Sequence, residues 1–355
     1  MLAPDTTRRQ ARALGNNIVE QMRRYSFVDD KIVFHAQCSV GVTMINSDRF
    51  SADELIAQAD IACREAKARG RNRMEFYSVA GDETKQKTAD IGWVRLIREA
   101  LATDSFVLRY QPIVHIPTGE TSHHEVLLRM KTPEDRLVSP AAFLPAAMRF
   151  GLMTEIDDWV VEHAIADLAQ YRHEDPELRF TINLSAAAFE TQRIAAFVRA
   201  QLAKYQVSAD SLIFEITEQV AVRQLDGVRN EIVALRELGC EMAIDDFGTG
   251  YSSFSYVKQL PVDYIKIDGA FVKDIAKEAV DQTMVRVIGE IGRAAGMKTI
   301  AEYVRSAAAV SILAQLGIDY AQGYYIGKPT ATPIRRTIPI PIGARSQRGK
   351  KKANV

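Results

Sequence analysis

The segment Glu241-Met242-Ala243-Ile244-Asp245-Asp246-Phe247, followed by Gly248-Thr249-Gly250, is the clearest indication of the fold of this 355-residue chain. Its apolar residues stand close together before two acids and a glycine-containing turn. A short apolar run of this kind is typical of a strand that is buried on both faces. The apolar residues of Val228–Leu238 have helical spacing, so a helix is predicted immediately before this strand.

Seven further apolar runs, each bounded by turn or helix signals, share these features. They are Phe106–Val114, His124–Met130, Phe180–Leu184, Leu212–Thr217, Tyr264–Ile267, Thr299–Val304 and Tyr320–Tyr325. Helical patterns separate most of them, including Ile156–Tyr171, Gln192–Lys204, Asp281–Ala295 and Ser306–Leu316. Strands that alternate with helices over about 220 residues predict the α/β class and a closed (β/α)8 TIM-like barrel. The pattern leaves open whether the first strand is parallel to the others.

The chain is predicted to have four parts. They are a small α/β fragment at 1–79, a linker helix at 80–94, the barrel at 95–330 and a basic, proline-containing tail at 331–355. In the fragment we expect a helix over 17–31 and a loosely alternating strand over 32–44. The tail is expected to be disordered because it is proline-rich and then basic.

Composition limits the classes of partner. Lys plus Arg and Asp plus Glu both number 45, so no overall charge attracts a nucleic acid polymer or an anionic membrane. Cys38, Cys63 and Cys240 lack the spacing of a disulfide framework or a zinc site. No apolar run approaches the roughly 20 residues that span a bilayer, and the N-terminus lacks a signal-peptide pattern. We therefore expect a cytoplasmic protein.

Polar side chains lie in or end nearly every predicted barrel strand. They are Gln111, Glu125, Asn183, Glu215, Asp245, Asp246, Lys266, Glu302 and Gln322. Each alone has a structural explanation, such as a helix cap at Asn183 or a pair between Lys266 and Asp268. Active sites of such barrels lie at the C-terminal ends of the strands, however. So many carboxylates at one mouth repel each other unless a cation neutralises them or some are protonated.

The ligand types indicate which cation. Oxygen ligands without His or Cys favour Mg²⁺ or Mn²⁺ over zinc. Adjacent Asp245 and Asp246 allow two ions about 4 Å apart, the arrangement used for in-line displacement at phosphorus. Lys266 adds a charge that holds or deprotonates an attacking water, and Arg129 has the fork geometry that binds a phosphate. These residues indicate a metal-dependent reaction at phosphorus.

The same residues lie in motifs that closely resemble the EAL family. The motifs are Tyr110-Gln111-Pro112-Ile113-Val114, Glu125-Val126-Leu127-Leu128-Arg129, Asn183-Leu184-Ser185, Glu215-Ile216-Thr217-Glu218, Asp245-Asp246-Phe247-Gly248-Thr249-Gly250, Lys266-Ile267-Asp268, Ala301-Glu302 and Gln322-Gly323-Tyr324. Because they occur in the family's order over about two thirds of the chain, chance resemblance is excluded.

The resemblance implies a phosphodiesterase that opens cyclic di-GMP to linear pGpG with two Mg²⁺ or Mn²⁺ ions. The implied metal ligands are Glu125, Asn183, Glu215, Asp245 and Asp246. The implied catalytic residues are Lys266, Glu302, Gln322 and Glu125. The implied ligand contacts are Gln111, Leu128 and Arg129, and Glu218 is expected to brace the loop after Asp246. A homodimer through the barrel is also implied.

The chain departs from the family pattern in two places, of which the change in the name motif is expected to be tolerated and the other, together with the truncated GGDEF-like fragment, supports an alternative. The family's Ala-Glu-Gly-Val-Glu segment reads Ala301-Glu302-Tyr303-Val304-Arg305 here, and the name motif reads Glu125-Val126-Leu127. We expect Tyr303 to stack on a guanine, which favours binding over turnover, and an inward Arg305 would compete with metal. The alternative hypothesis is a catalytically weak or inactive cyclic di-GMP receptor that docks a partner protein.

The N-terminal fragment resembles the C-terminal half of a GGDEF domain. The resemblance rests on Ser39-Val40-Gly41-Val42, the helical segment at 59–67 and Gly70-Arg71-Asn72-Arg73. The signature hairpin of that family would lie before residue 1. We therefore expect that the chain is not a diguanylate cyclase.

Overall fold

The structure, a computed structural model, describes residues 3–4, 6–29, 32–35, 38–45, 52–68, 72–77, 82–132, 135–190, 192–223, 225–248 and 260–339. The chain divides into two compact units, residues 1–98 with 145–150 and residues 99–144 with 151–355. Across the described ranges, no helix has both the length and the apolar character needed to cross a membrane.

The first unit contains helices and short strands. They are α1 (Arg8–Arg24), β1 (Ser26–Asp29), β2 (Ile32–His35), β3 (Val40–Val42), α2 (Ala52–Ala68) and β4 (Met74–Phe76). Strands β1 and β2 form an antiparallel hairpin, whereas β3 and β4 are parallel. The helix predicted over 17–31 is wrong beyond residue 24. Tyr25 is extended, and Phe27 and Val28, which favour strands, pair with β2.

Close contact between β3 and α2 explains the glycine at position 41. A Cβ on Gly41 would lie 1.9 Å from the Ala59 carbonyl oxygen and 2.3 Å from the Cys63 nitrogen. Since both are backbone atoms, the helix would have to move away from the strand.

Gly41→Ala is therefore expected to destabilise the first unit by about 1–3 kcal/mol. Urea unfolding followed by hydrogen exchange of α2 would measure the loss. Gly92→Ala is the matched control, because a Cβ at Gly92 meets nothing within 4 Å. Equal stability of Gly41→Ala and the wild type would show that α2 is not fixed by this contact.

The remaining elements begin with a helix, α3, that includes 82–94 of the linker predicted at 80–94 and continues to Ala102. They are α3 (Asp82–Ala102), β5 (Phe106–His115), β6 (Glu120–Lys131), β7 (Leu137–Val138), α4 (Pro140–Phe150), α5 (Met153–Tyr171), β8 (Phe180–Asn183), α6 (Ala186–Glu190), α7 (Ile194–Tyr205), β9 (Leu212–Thr217), α8 (Glu218–Arg223), α9 (Leu225–Glu237), β10 (Glu241–Phe247), β11 (Tyr264–Ile267), α10 (Gly269–Val272), α11 (Ala279–Ala295), β12 (Lys298–Ala301), α12 (Ala307–Gln315) and β13 (Tyr320–Gln322).

The predicted closed barrel is confirmed. Its strands follow the order β5-β13-β12-β11-β10-β9-β8-β6, and pairing of β5 with β6 closes it. Strand β5 is antiparallel to both neighbours, while the other barrel pairs are parallel. The short turn before Glu120 explains this, because a parallel pair needs a crossover of about a dozen residues or more. Strand β7 adds to β6 outside the barrel.

Three barrel strands differ from their predicted limits by more than one residue. Strand β6 starts at Glu120, so Gln111 and Glu125 lie opposite each other within a long hairpin. Strands β12 and β13 end at Ala301 and Gln322, before the limits predicted at 304 and 325. Each is followed closely by a positive φ, 53° at Tyr303 and 155° at Gly323, which is incompatible with a continued strand.

The barrel interior is layered. A buried apolar layer consists of Ile113, Ile213, Ala243, Tyr264, Ile300 and Tyr320. Because side chains two positions apart in a strand share a face, the next inward layer toward the mouth is polar. It includes Gln111, Glu215, Asp245, Lys266, Glu302 and Gln322. The strands therefore supply a polar site above an apolar base.

The first part of the C-terminal tail is ordered, and the predicted disorder is wrong for 331–339. The Thr121 nitrogen donates to the Arg336 carbonyl at 3.0 Å, and the Ile338 nitrogen donates to the Gly119 carbonyl at 2.8 Å. Backbone groups of the β5–β6 hairpin therefore bind this segment. Residues 340–355 lie outside the described residues.

Candidate active site

Lys266 lies at the centre of the mouth, fully buried on β11. Its Nζ is 2.7 Å from Glu215 Oε2, 2.8 Å from Glu302 Oε1 and 3.1 Å from Asp245 Oδ1. Glu125 Oε1 is farther away, at 3.8 Å. One ammonium group therefore faces four carboxyl groups that come from β6, β9, β10 and the end of β12.

These carboxyl groups determine the protonation of Lys266. Burial alone would lower its pKa, but Asp245, Glu125, Glu215 and Glu302 together raise it well above the ordinary value. The side chain is thus held as an ammonium ion, which donates hydrogen bonds. An ammonium ion has no free electron pair to accept a proton, so this protonation state is compatible with holding a water and not with deprotonating it.

Amide side chains orient Glu125. The Asn183 Nδ2 donates to Glu125 Oε1 at 2.8 Å, and the Gln322 Nε2 donates to Glu125 Oε2. Gln111 accepts from Gln322 at 3.3 Å and donates to the Gly327 carbonyl at 3.1 Å. Gln111 therefore joins Gln322 to the loop after β13, a contact that the sequence did not predict.

Asp245, Asp246 and Glu302 form a second group at the mouth. Each offers a carboxylate oxygen, and these oxygens all lie within 4.8 Å of one another. Asp246 has φ 55°, a conformation that Asp tolerates better than most residues. Glu218 Oε2 accepts from the Gly248 nitrogen at 3.0 Å, so Glu218 contacts the turn that follows Asp246.

The negative charge at the mouth exceeds what Lys266 neutralises. Burial raises the pKa of Glu302 to about 8; Lys266 opposes the shift, while Asp245 adds to it. Burial also raises the pKa of Asp246 to about 6, and its neighbour Asp245 adds to that shift. In the absence of another cation, protons compensate part of the charge.

The donor set fits a hard divalent cation. Glu215 Oε1 is buried and has no hydrogen-bond partner among the residues that the structure describes. A buried carboxylate oxygen without a partner costs free energy unless a cation binds it. The described ligand candidates at the mouth are oxygen donors, which suit Mg²⁺ or Mn²⁺ better than zinc.

The remaining predicted residues lie around the mouth. Arg129 is partly buried, and its Nη1 donates to the Leu128 carbonyl at 2.7 Å. Tyr303 is 60% exposed, directly after Glu302. Arg305 is exposed and forms no ion pair with any carboxylate in the described ranges. The expectation that Arg305 competes with metal therefore has no contact to support it.

The sequence analysis missed Asp157 on α5. This buried carboxylate accepts hydrogen bonds from the Ser185 Oγ at 2.5 Å and the Ser185 nitrogen at 3.3 Å. It thereby fixes the turn two residues after Asn183. The available signal was an acidic residue next to Ile156, on a helix face that is otherwise apolar.

Comparisons with known families agree with this geometry. The EAL domain family matches residues 94–329, and the family described as diguanylate cyclase, GGDEF domain, matches residues 1–73. The chain is 42% identical over 247 residues to cyclic di-GMP phosphodiesterase PdeF of Escherichia coli, covering 70% of this chain and 32% of PdeF. It is 34% identical over 326 residues to cyclic di-GMP phosphodiesterase PdeB of Shewanella oneidensis, covering 92% of this chain and 38% of PdeB. The chain thus spans about a third of the length of these relatives.

Solved structures that resemble the barrel include an EAL domain and a phosphodiesterase. A c-di-GMP complex of the PaMucR phosphodiesterase is 34% identical with a TM-score of 0.64, covering 67% of this chain and 97% of that chain. The FimX EAL domain from Pseudomonas aeruginosa, bound to c-di-GMP, is 30% identical with a TM-score of 0.63, covering 68% of this chain and 97% of that chain. With its closed barrel, polar mouth and matching motifs, this chain belongs to the EAL domain family.

Proposed function

We propose that the barrel hydrolyses cyclic di-GMP to linear pGpG in second-messenger signalling, with two Mg²⁺ or Mn²⁺ ions. The buried Lys266 ammonium among carboxylates from four strands is the observation that carries this proposal. The relatives named cyclic di-GMP phosphodiesterases and the EAL structures bound to c-di-GMP support the choice of substrate.

The metal ligands in this proposal are the oxygen donors at the mouth. They are Glu125, Asn183, Glu215, Asp245 and Asp246, with Glu302 beside them. When bound, the cations would neutralise charge on the phosphate and on the leaving oxygen. The unpartnered Glu215 Oε1 and the close group of Asp245, Asp246 and Glu302 support this assignment.

Hydrolysis adds water across one P–O bond. The water oxygen attacks phosphorus, the bond between phosphorus and the ribose 3′ oxygen breaks, that oxygen takes up a proton from solvent, and the phosphate stays on the 5′ side. In our proposal the Lys266 ammonium donates a hydrogen bond to that water and fixes its position. Glu302 Oε1, 2.8 Å from Lys266 Nζ, accepts the water's proton. Gln322 assists by holding Glu125 in place.

Ligand contacts are proposed for residues at the rim of the mouth. Arg129 would bind a phosphate through its guanidinium group, and Gln111 and Leu128 would contact the ligand on the β5–β6 side. Tyr303 would stack on a guanine base. Glu218 would brace the turn after Asp246, and its 3.0 Å hydrogen bond with the Gly248 nitrogen supports that role.

Glu125→Gln tests the proposed hydrolysis. With Mn²⁺ we expect wild type to release pGpG, and we expect the variant to turn over about 10²-fold more slowly because a charged ligand is lost. Chromatography of the nucleotide products gives the rate. Glu120→Gln, at the exposed start of the same strand, is the matched control. A wild type that binds cyclic di-GMP but yields no pGpG at high protein concentration would contradict the proposal.

The second candidate is a cyclic di-GMP receptor that binds without turnover and docks a partner protein. The exposed Tyr303 favours it, since an aromatic platform raises affinity without adding a catalytic group. Arg305 contributes less to this alternative, because it is exposed and away from the ion pairs of Lys266. Parallel hydrolysis assays of wild type and Arg305→Glu separate the two hypotheses. Only the receptor hypothesis expects a wild type that does not hydrolyse cyclic di-GMP and a variant in which hydrolysis is restored.

We also infer a homodimer through the barrel. The support is the resemblance to the EAL family, and much of the loop after Asp246, at 249–259, lies outside the described residues. Light scattering at tens of micromolar tests it, and a monomer alone would count against it.

A further inference from the structure

The backbone at Tyr303 is held in a conformation that an aromatic residue rarely adopts. Its φ is 53°, in the left-handed region that favours glycine. Hydrogen bonds fix the chain on both sides: Glu302 N donates to the Ile267 carbonyl at 3.3 Å, and Val304 N donates to the Gln322 carbonyl at 2.9 Å. The neighbouring strands therefore impose the strained conformation, a feature that often marks functional sites.

The Tyr303 ring occupies the space above Gly269. A Cβ at Gly269 would lie 2.2 Å from Tyr303 Cδ2 and 2.6 Å from Cγ. The absence of a side chain at Gly269 therefore leaves the space that the ring occupies, and no larger residue fits there while the ring stays in place. Gly269 follows Asp268, whose side chain accepts from the Ala270 nitrogen at 2.6 Å and caps α10.

Although one side of the ring contacts Gly269, the residue is 60% exposed. Its surroundings are acidic. Burial raises the pKa of the Tyr303 hydroxyl, and the carboxyl groups of Glu302, Asp246 and Asp268 add to the shift. The ring thus stands, fixed and accessible, beside two of the carboxylates that group closely at the mouth.

We propose that Gly269 and Tyr303 form an interlocked pair that fixes an aromatic platform for one nucleobase of the ligand. The inference rests on the proposed function and adds a determinant of ligand affinity, since Gly269 makes no contact of its own with the base. A ring that is already immobile loses little entropy on binding. Stacking of one base on an aromatic ring contributes roughly tenfold to hundredfold in affinity.

Four variants test the pair. Tyr303→Asn removes the ring but tolerates the positive φ, and Tyr303→Phe keeps the ring. Gly269→Ala leaves the tyrosine but places a methyl group where the ring lies, and the fourth variant combines Gly269→Ala with Tyr303→Asn. Tyr205→Asn, on α7, controls for loss of a partly exposed tyrosine elsewhere.

Calorimetric titration with pGpG, the product of the proposed reaction, gives affinity directly, and kinetics with cyclic di-GMP give KM and kcat. We expect Tyr303→Asn and Gly269→Ala each to weaken pGpG binding and raise KM by about tenfold or more. The effect on kcat should be small. Tyr303→Phe should bind within about threefold of wild type, and the double variant should bind no more weakly than Tyr303→Asn, because the two changes remove one interaction.

The outcomes separate this inference from the proposed function. Unchanged pGpG affinity in a folded Tyr303→Asn variant would overturn the platform while hydrolysis stands. A parallel loss of Mn²⁺ affinity would also overturn it, because the ring would then position carboxylates instead of a base. If Gly269→Ala unfolds, the pGpG affinity of Tyr303→Asn still shows whether the ring binds a base. A wild type that neither binds pGpG nor hydrolyses cyclic di-GMP would sink both proposals together.

Discussion

Lys266→Met is expected to lower kcat for cyclic di-GMP hydrolysis by about 10³-fold or more. The substitution removes the buried ammonium that lies within 3.1 Å of three carboxyl groups, and with it the proposed donor to the attacking water. It also leaves Glu215 buried without its partner at 2.7 Å, which costs about 3–5 kcal/mol when no cation replaces it. We therefore expect a lower melting temperature that Mn²⁺ partly restores.

Lys204→Met provides the matched control. The Lys204 Nζ is also 2.7 Å from a glutamate oxygen, that of Glu162, but the lysine side chain is 54% exposed. Water screens that pair, so both turnover and stability should stay near wild type. Single-turnover assays and thermal unfolding, each with and without Mn²⁺, measure the two effects. Hydrolysis by Lys266→Met within tenfold of wild type would remove Lys266 from the mechanism.

Mn²⁺ affinity is expected to rise steeply with pH. Metal binds ionised carboxylates, so protons compete with it below the pKa of each ligand. Burial raises the pKa of Glu302 to about 8, that of Asp246 to about 6 and that of Glu215 well above its ordinary value, so at least one proton competes between pH 8 and 6 and at least two compete below pH 6. The affinity should therefore fall at least about tenfold per pH unit from pH 8 to 6 and more steeply below, since each displaced proton contributes one factor of ten per unit.

Calorimetric or paramagnetic-resonance titration with Mn²⁺ between pH 5.5 and 8.5 would test this dependence over about three pH units. Glu302→Gln should bind metal more weakly at pH 8.5, and its affinity should fall by about one factor of ten less per pH unit between pH 8 and 6, while the steeper fall below pH 6 remains. A wild-type affinity that is constant from pH 6 to 8 would show that Glu302 binds no proton that the metal must displace.

Much of the barrel was predictable because its strands carry a strong local signal. Ile213 and Glu215, like Ala243 and Asp245, are two positions apart, so the residues themselves show that an apolar layer underlies a polar one. The direction of β5 was not predictable from periodicity, which is the same for parallel and antiparallel strands. The early ends of β12 and β13 depend on positive φ angles at Tyr303 and Gly323. An aromatic residue such as Tyr303 gives no reason to expect this backbone conformation.

The sequence also predicts which residues gather at the mouth, but it does not predict which of them contact each other. Metal-ligand candidates such as Asp245 and Glu302 stand at strand ends, where barrel chemistry occurs. The Gln111 contact with Gly327 joins residues 216 positions apart, and the Ser185 contact with Asp157 joins a loop to a helix face. Such pairs depend on tertiary packing, so no local pattern reveals them.

The apolar layer beneath the mouth limits how ligands can enter and leave the site. Ile113, Ile213, Ala243, Tyr264, Ile300 and Tyr320 form a buried, mostly apolar cluster below Lys266, which makes the passage of ions through that layer unfavourable. In the proposed reaction, metal, dinucleotide, water and product would therefore all enter and leave through the mouth. The order in which they bind and leave would then be limited by the shape of the barrel.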